Sequence, residues 1–241
     1  MELPVDLIAI IAGCAIILIG AIVQTATGIA AGILTVPVLF MIDPIFVPGP
    51  MLISSLSLIS IMTWRGRARI EYRRLNIILV GAAIGAALAA AVLSAISADG
   101  FKLIFGVLLL VAVSASAWGH TIPVNKRSMF LAGITAAFMG TIAAIGGVVF
   151  GLLYQREIGP VMRATLAYLY LTVTTVMLGF MWLAGSLGWP EVKAGVVLLP
   201  GWILGYFLAE RLSAFLDGGY LRVTILSFSG GSALFLIAQN L

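Results

Sequence analysis

Apolar residues run along this chain in long stretches, interrupted only by short clusters of glycine, proline and charge. Breaking the chain at those clusters gives apolar segments over 7–27, 29–42, 49–64, 75–97 and 101–118. After a polar loop holding His120, Lys126 and Arg127, the pattern resumes over 129–143, 145–154, 161–183, 191–209 and 219–238. A hydrocarbon core of ~30 Å takes about 20 apolar residues in a helix. All ten segments are expected to be helical, because an open strand edge in lipid would leave peptide groups unpaired at several kcal/mol each. The pattern therefore predicts an all-α polytopic membrane protein with about eight to ten membrane segments, in one membrane domain over 1–241. A first repeat over 7–118, a cytoplasmic loop over 119–128 and a second repeat over 129–238 divide it.

Composition narrows the function classes. Of the 241 residues, 62% are hydrophobic and 9% charged, against roughly 25% charged in soluble domains. No polar stretch is long enough to fold as an extramembrane domain, which argues against nucleic-acid binding and against catalysis in a separate module. The single cysteine, Cys14, lies in an apolar run, so neither a disulfide nor a thiolate metal site is expected. The opening Met-Glu-Leu-Pro-Val-Asp lacks the positive stretch of a secretory signal, and the following apolar run is kept as the first membrane helix.

Charge sets the orientation. If the loop from Arg65 to Arg74 is cytoplasmic, alternation puts eleven of the 13 Lys and Arg inside, leaving Lys102 and Lys193 outside. Both termini are then expected on the non-cytoplasmic side, together with Glu2, Asp6, Asp43, Asp99 and Glu191. Trp64, Trp118, Trp182 and Trp189 fall at segment ends, as interfacial tryptophans do, whereas Trp202 lies mid-segment. Each half has an odd number of passes, so the second starts on the opposite side, which is the arithmetic of an inverted repeat. Sequence echoes follow the same order. Gly28 to Gly32 matches the stretch from Gly140 through Gly146-Gly147; Gly49-Pro50 with Ser54-Ser55 matches Gly159-Pro160 with Ala164-Thr165; Gly81 and Gly85 match Gly201 and Gly205; Asp99-Gly100 matches Asp217-Gly218.

In each half the second segment, 29–42 or 145–154, is too short to cross at ~1.5 Å per residue. Paired short, glycine-interrupted segments point to a transporter's central site. A helix that restarts after such a break aims unpaired N–H groups and its positive dipole end into the protein, where two such ends would cradle an anion.

The run Gly28 to Gly32 followed by Thr35-Val36-Pro37, then Gly49-Pro50 and Ser54-Ser55, recurring as Gly140 to Gly147 and Pro160 to Thr165, resembles the sulfite exporter TauE/SafE family. The resemblance covers about residues 7–238 and implies a bacterial inner-membrane transporter of sulfite or small organosulfonates such as sulfoacetate. Ala30, Ala31, Ala143 and Ala144 stand where the family's denser glycine runs would place glycine.

None of the nine acidic residues falls at a segment centre and the only histidine is in a loop. A carboxylate or histidine proton relay, a buried metal site and a Ser-His-Asp hydrolase are accordingly not expected. No cofactor is expected. An inside-negative potential would still drive anions outward, at ~2.3 kcal/mol per charge per 100 mV. The candidate substrate-binding set is Gln24, Thr27, Gly28, Gly32, Ser54, Ser55, Gly140, Thr141, Gly146, Gly147, Arg163 and Thr165. Arg163 either grips a sulfonate oxygen or snorkels to cytoplasmic headgroups. The hydroxyls, including the Thr165, Tyr168, Thr172, Thr175 face, either line a path or pack and back-bond locally. Arg65 to Arg74 reads first as a topology marker, with concentration of anions at the cytoplasmic mouth as a second role it could add, while Arg156-Glu157 and Glu210-Arg211 read as solvated loop pairs. The expected partners are a small anionic substrate and the lipid bilayer, with a homo-oligomer compatible and no nucleic acid. A non-transporting membrane subunit that assembles with a partner is the rival reading, since small-residue faces such as Gly81 to Gly85 serve either role.

Overall fold

The computed structural model describes residues 5–29, 31–73, 75–118, 122–154 and 159–216. The expected tenth segment, Arg74, the histidine, Gln155 to Glu157 and Asp217-Gly218 lie outside the described residues. Within them the chain is helical. Its helices are α1 (Leu7–Thr27), α2 (Ala31–Ile42), α3 (Gly49–Gly66), α4 (Leu75–Ala95), α5 (Ala98–Trp118), α6 (Lys126–Ala143), α7 (Gly147–Leu153), α8 (Pro160–Leu183) and α9 (Trp189–Leu216). Single 3-10 turns at Pro44–Phe46 and Arg67–Arg69 follow α2 and α3. Five of the helices, α1, α4, α5, α8 and α9, are long and apolar enough to cross a membrane.

Local chemistry sets most boundaries. Pro50 and Pro160 sit in the first turns of α3 and α8, where a missing N–H costs nothing. The α6 start lies three residues before the expected one because Asn125 and Ser128 form a capping box, the Ser128 N–H donating to Asn125 Oδ1 at 2.9 Å and the Asn125 N–H to Ser128 Oγ at 3.0 Å. The α9 helix runs past the expected end at 209 to Leu216.

Two seams organise the bundle. The α1 helix packs along α9, and α4 packs along α6, each seam joining the two halves of the chain. Glycines make both possible. A Cβ on Gly81 or Gly85 would run into the carbonyls of Phe130 or Ile134 on α6, and one on Gly201 or Gly205 into those of Cys14 or Leu18 on α1. Small residues at such crossings let backbones approach without an aqueous hydrophobic drive. Between the seams, α3 packs on both α8 and α9, and α4 also touches α8. One apolar core gathers around α1, α2 and α9, with Ile17, Val36, Leu39, Phe46 and Leu198. The second gathers around α4, α6 and α8, with Ile78, Ala82, Ala136, Leu166 and Leu169. On the outside, Leu103, Val107 and Val111 make an exposed stripe along α5, and Trp64, Trp182 and Trp189 are exposed at helix ends, as lipid-facing and interfacial side chains are.

The short helices double back on their predecessors. Thr35 of α2 lies across Gly20 of α1 and Leu39 across Gly13, so α1 and α2 form a hairpin, and Gly146, just before α7, packs back on Ala136 and Gly140 of α6.

Candidate functional site

The two turns are built alike. At the first, Gly28 takes the left-handed conformation (φ 81) and its N–H donates to Gln24 O at 2.7 Å, ending α1. At the second, Ala144 takes it (φ 53) and its N–H donates to Gly140 O at 2.8 Å, ending α6. Among the described residues Ala144 is the one non-glycine residue with positive φ. The two breaks also touch. A Cβ on Gly32 would sit 2.7 Å from Ala144 O, and one on Gly151 would sit 3.1 Å from Ile29 Cγ2.

A cavity of about 80 Å³ opens where they meet, room for several waters at about 10–15 Å³ each. Its wall takes Gln24 from α1, Ala31, Gly32 and Ile33 from the first turn of α2, Met51 and Ser55 from α3, and Gly140 from α6. Gly146 and Gly147 come from the second break, Tyr170 and Thr174 from α8, and Trp202 from α9. None of the residues lining it is charged.

Donors, not hydroxyls in general, decide what such a cavity holds. The Ser55 hydroxyl already donates to Leu52 O (2.8 Å), and Ser54 lies behind the wall, donating to Pro50 O (2.8 Å) while accepting the Trp202 indole N–H (3.0 Å). The Tyr170 hydroxyl donates to Gly147 O at 3.2 Å and ties the second break to α8. Among the described residues, the Gln24 carboxamide and the Thr174 hydroxyl line the cavity and make no hydrogen bond. The first-turn N–H groups of α2 have no partner within their helix. These are free donors of the cavity.

Of the candidate residues, Gln24, Gly32, Ser55, Gly140, Gly146 and Gly147 line this cavity. Thr27 and Gly28 build the first break without facing it: the Thr27 hydroxyl accepts the Ile29 N–H (3.2 Å) and donates to Val23 O (2.8 Å). Thr141 is fully buried in α6, and its Oγ1 has no partner among the described residues. Arg163 and Thr165 lie elsewhere. The Thr165 hydroxyl accepts the Glu71 N–H at 3.0 Å, fastening the arginine loop to α8. The face that Thr165 begins is not part of the cavity lining, and its Thr172 and Thr175 hydroxyls donate back to Tyr168 O (2.9 Å) and Leu171 O (2.7 Å).

Arg163 lays its stem against Gly28 and donates from Nη1 to Ala26 O at 3.3 Å, a cation on the negative end of α1. It lines a second cavity of about 310 Å³, with Thr25, Met62, Arg65, Arg69, Tyr206 and Glu210. There Arg65 pairs with Glu210, which also accepts the Tyr206 hydroxyl at 3.2 Å. Glu210 is exposed, as expected from its place in the chain, but it lies within α9 and not in a loop, and it pairs with Arg65. Sequence reasoning also missed Trp202, Tyr170 and Thr174. For Trp202 the signal was present: a tryptophan in mid-segment, away from either interface, that is only 1% exposed.

A family model described as Sulfite exporter TauE/SafE matches residues 12–236 of the chain. No curated protein matches it, and no solved structure does.

Proposed function

Because the chain belongs to the sulfite exporter TauE/SafE family of membrane transporters, we propose that it exports a small sulfur oxyanion or organosulfonate, such as sulfite or sulfoacetate, through the cavity between its two helix breaks. The observation that carries this reading is the uncharged cavity where both breaks meet, with the Gln24 carboxamide, the Thr174 hydroxyl and the α2 first turn as its free donors. Neutral donors and a helix dipole hold an anion without a fixed countercharge, and so release it readily. Gly140, Gly146 and Gly147 contribute no side chains to the cavity wall, and Ser54, behind the wall, holds Trp202 in place within it.

Alternating access would come from two inverted repeats rocking about this cavity. Exchanging the halves, α1 for α6, α2 for α7, α3 for α8 and α4 for α9, turns the α1–α9 seam into the α6–α4 seam and the α3–α9 contact into the α8–α4 contact. The two break geometries exchange in the same way. These correspondences support the repeat. In this reading the protein sits in a bacterial inner membrane, with both termini outside and Arg65 to Arg73 in the cytoplasm.

The test is thermal stability of the solubilised protein against sulfite, sulfoacetate, isethionate, taurine, thiosulfate, sulfate and chloride, followed by flux of any stabilising anion in liposomes. A ligand at 100 times its Kd adds about 2.7 kcal/mol to the folded state. A selective upward shift that Gln24→Leu or Thr174→Val abolishes is expected. Absence of both shift and flux for the whole panel would overturn the reading.

A further inference from the structure

We propose that the second cavity is a separate capture site for small oxyanions, in which Arg69 and Arg163 are the ligands and Glu210 occupies Arg65 in competition with the anion. Its lining holds three arginines and one carboxylate, whereas the central cavity holds no charge. Its volume of about 310 Å³ admits an oxyanion with part of its hydration shell, or a sulfonate with a short carbon tail.

Each arginine is placed differently. The half-buried Arg163 has its stem on Gly28 and one Nη1–H on Ala26 O, which anchors one corner of the guanidinium and leaves other N–H donors for a ligand. Arg69, at the end of the 3-10 turn, has no hydrogen bond or ion pair among the described residues. Arg65 is held by Glu210 and lies over the Tyr206 and Phe207 rings, 5.3 and 5.9 Å from their centroids. An anion reaching Arg69 and Arg163 therefore meets the Glu210 carboxylate as its competitor for Arg65. Thr25 of this cavity is the chain neighbour of Gln24 in the central one, so the two spaces flank the same end of α1. The site is also one-sided. The first-half position matching Arg163, counted from the paired Gly49-Pro50 and Gly159-Pro160, is Ile53. Service as a waiting position for exported cargo rests on the transport reading, but oxyanion binding here does not.

Phosphate headgroups of anionic lipids share this chemistry, so the experiment separates the two sources. The full chain is reconstituted in nanodiscs of either zwitterionic or phosphatidylglycerol-containing lipid. Arginines are labelled with phenylglyoxal and quantified residue by residue by mass spectrometry, with and without millimolar sulfite, sulfate or phosphate. Arg67 is the internal control, because it stacks on Trp64 at 4.3 Å outside the cavity. Added oxyanion should slow labelling of Arg69 and Arg163 several-fold in both lipids and leave Arg67 unchanged. Gln24→Leu should preserve that protection, which separates this site from the central one. Glu210→Gln should lower the half-protecting concentration several-fold and extend protection to Arg65. Arg69→Gln, a change at an exposed position, should weaken protection of Arg163. Equal slowing of Arg67, no slowing at all, or protection by phosphatidylglycerol alone would each overturn the proposal.

Discussion

Ala144 is where one side chain meets the tightest backbone demand. Its left-handed conformation places a Cβ against the following carbonyl, at roughly 1–2 kcal/mol. Ala144→Gly removes that cost and gives back part of it as unfolded-chain entropy, so a net gain of up to about 1 kcal/mol is expected. Ala144→Val, β-branched in the same conformation, should lose at least as much. Melting temperatures in the order Gly above Ala above Val check this, and the reverse order would show that the break is not held as described. The Ser54–Trp202 bond makes a second residue-level prediction. Ser54→Ala leaves the indole N–H buried without its acceptor, at about 1–3 kcal/mol, whereas Ser54→Thr keeps an oxygen there. The Ala variant should therefore melt well below the Thr variant.

Helices were legible in the sequence to the extent that their ends carry chemistry. The α1 limits agree with expectation because Asp6 and Gly28 stand at them, and α2 and α7 are shorter than expected because 28–29 and 144–146 form the breaks themselves. The contacts of Arg163 and Glu210 were not legible, because their partners, Ala26 and Arg65, lie more than 130 residues away. Nor does a sequence reveal that Ser54, Ser55 and Thr172 spend their hydrogens on their own helices. The glycine seams were legible as small-residue faces, but not which helix each would meet. Since α4 and α9 use their glycine pairs in separate seams, Gly85→Val and Gly205→Val should each cost about 1–3 kcal/mol. The double variant should lose the sum. Denaturation of the three variants in detergent reads this, and one tolerant site would mean that its seam is looser than the glycine contacts require.

At the scale of the whole molecule, the proposed route through an uncharged cavity would carry the cargo's own charge across the membrane uncompensated by the residues lining it. Steady-state accumulation in liposomes should therefore follow an imposed potential, about tenfold per ~60 mV for a monovalent anion. Flux indifferent to potential would require a co-transported cation or an exchanged anion. The arginines around the second cavity act on a different quantity. A passive carrier cannot pump, so with no potential the ratio Vmax/KM must be the same in both directions. Tight binding at one mouth then brings slow turnover from that mouth in the same proportion. If Arg69 and Arg163 bind the anion as proposed, with Ile53 at the position matching Arg163 in the other half, they would make the carrier a rectifier in rate and not in equilibrium. Such a carrier would saturate early with anion on the side of the second cavity, keeping the flux from that side nearly constant while the concentration there varies.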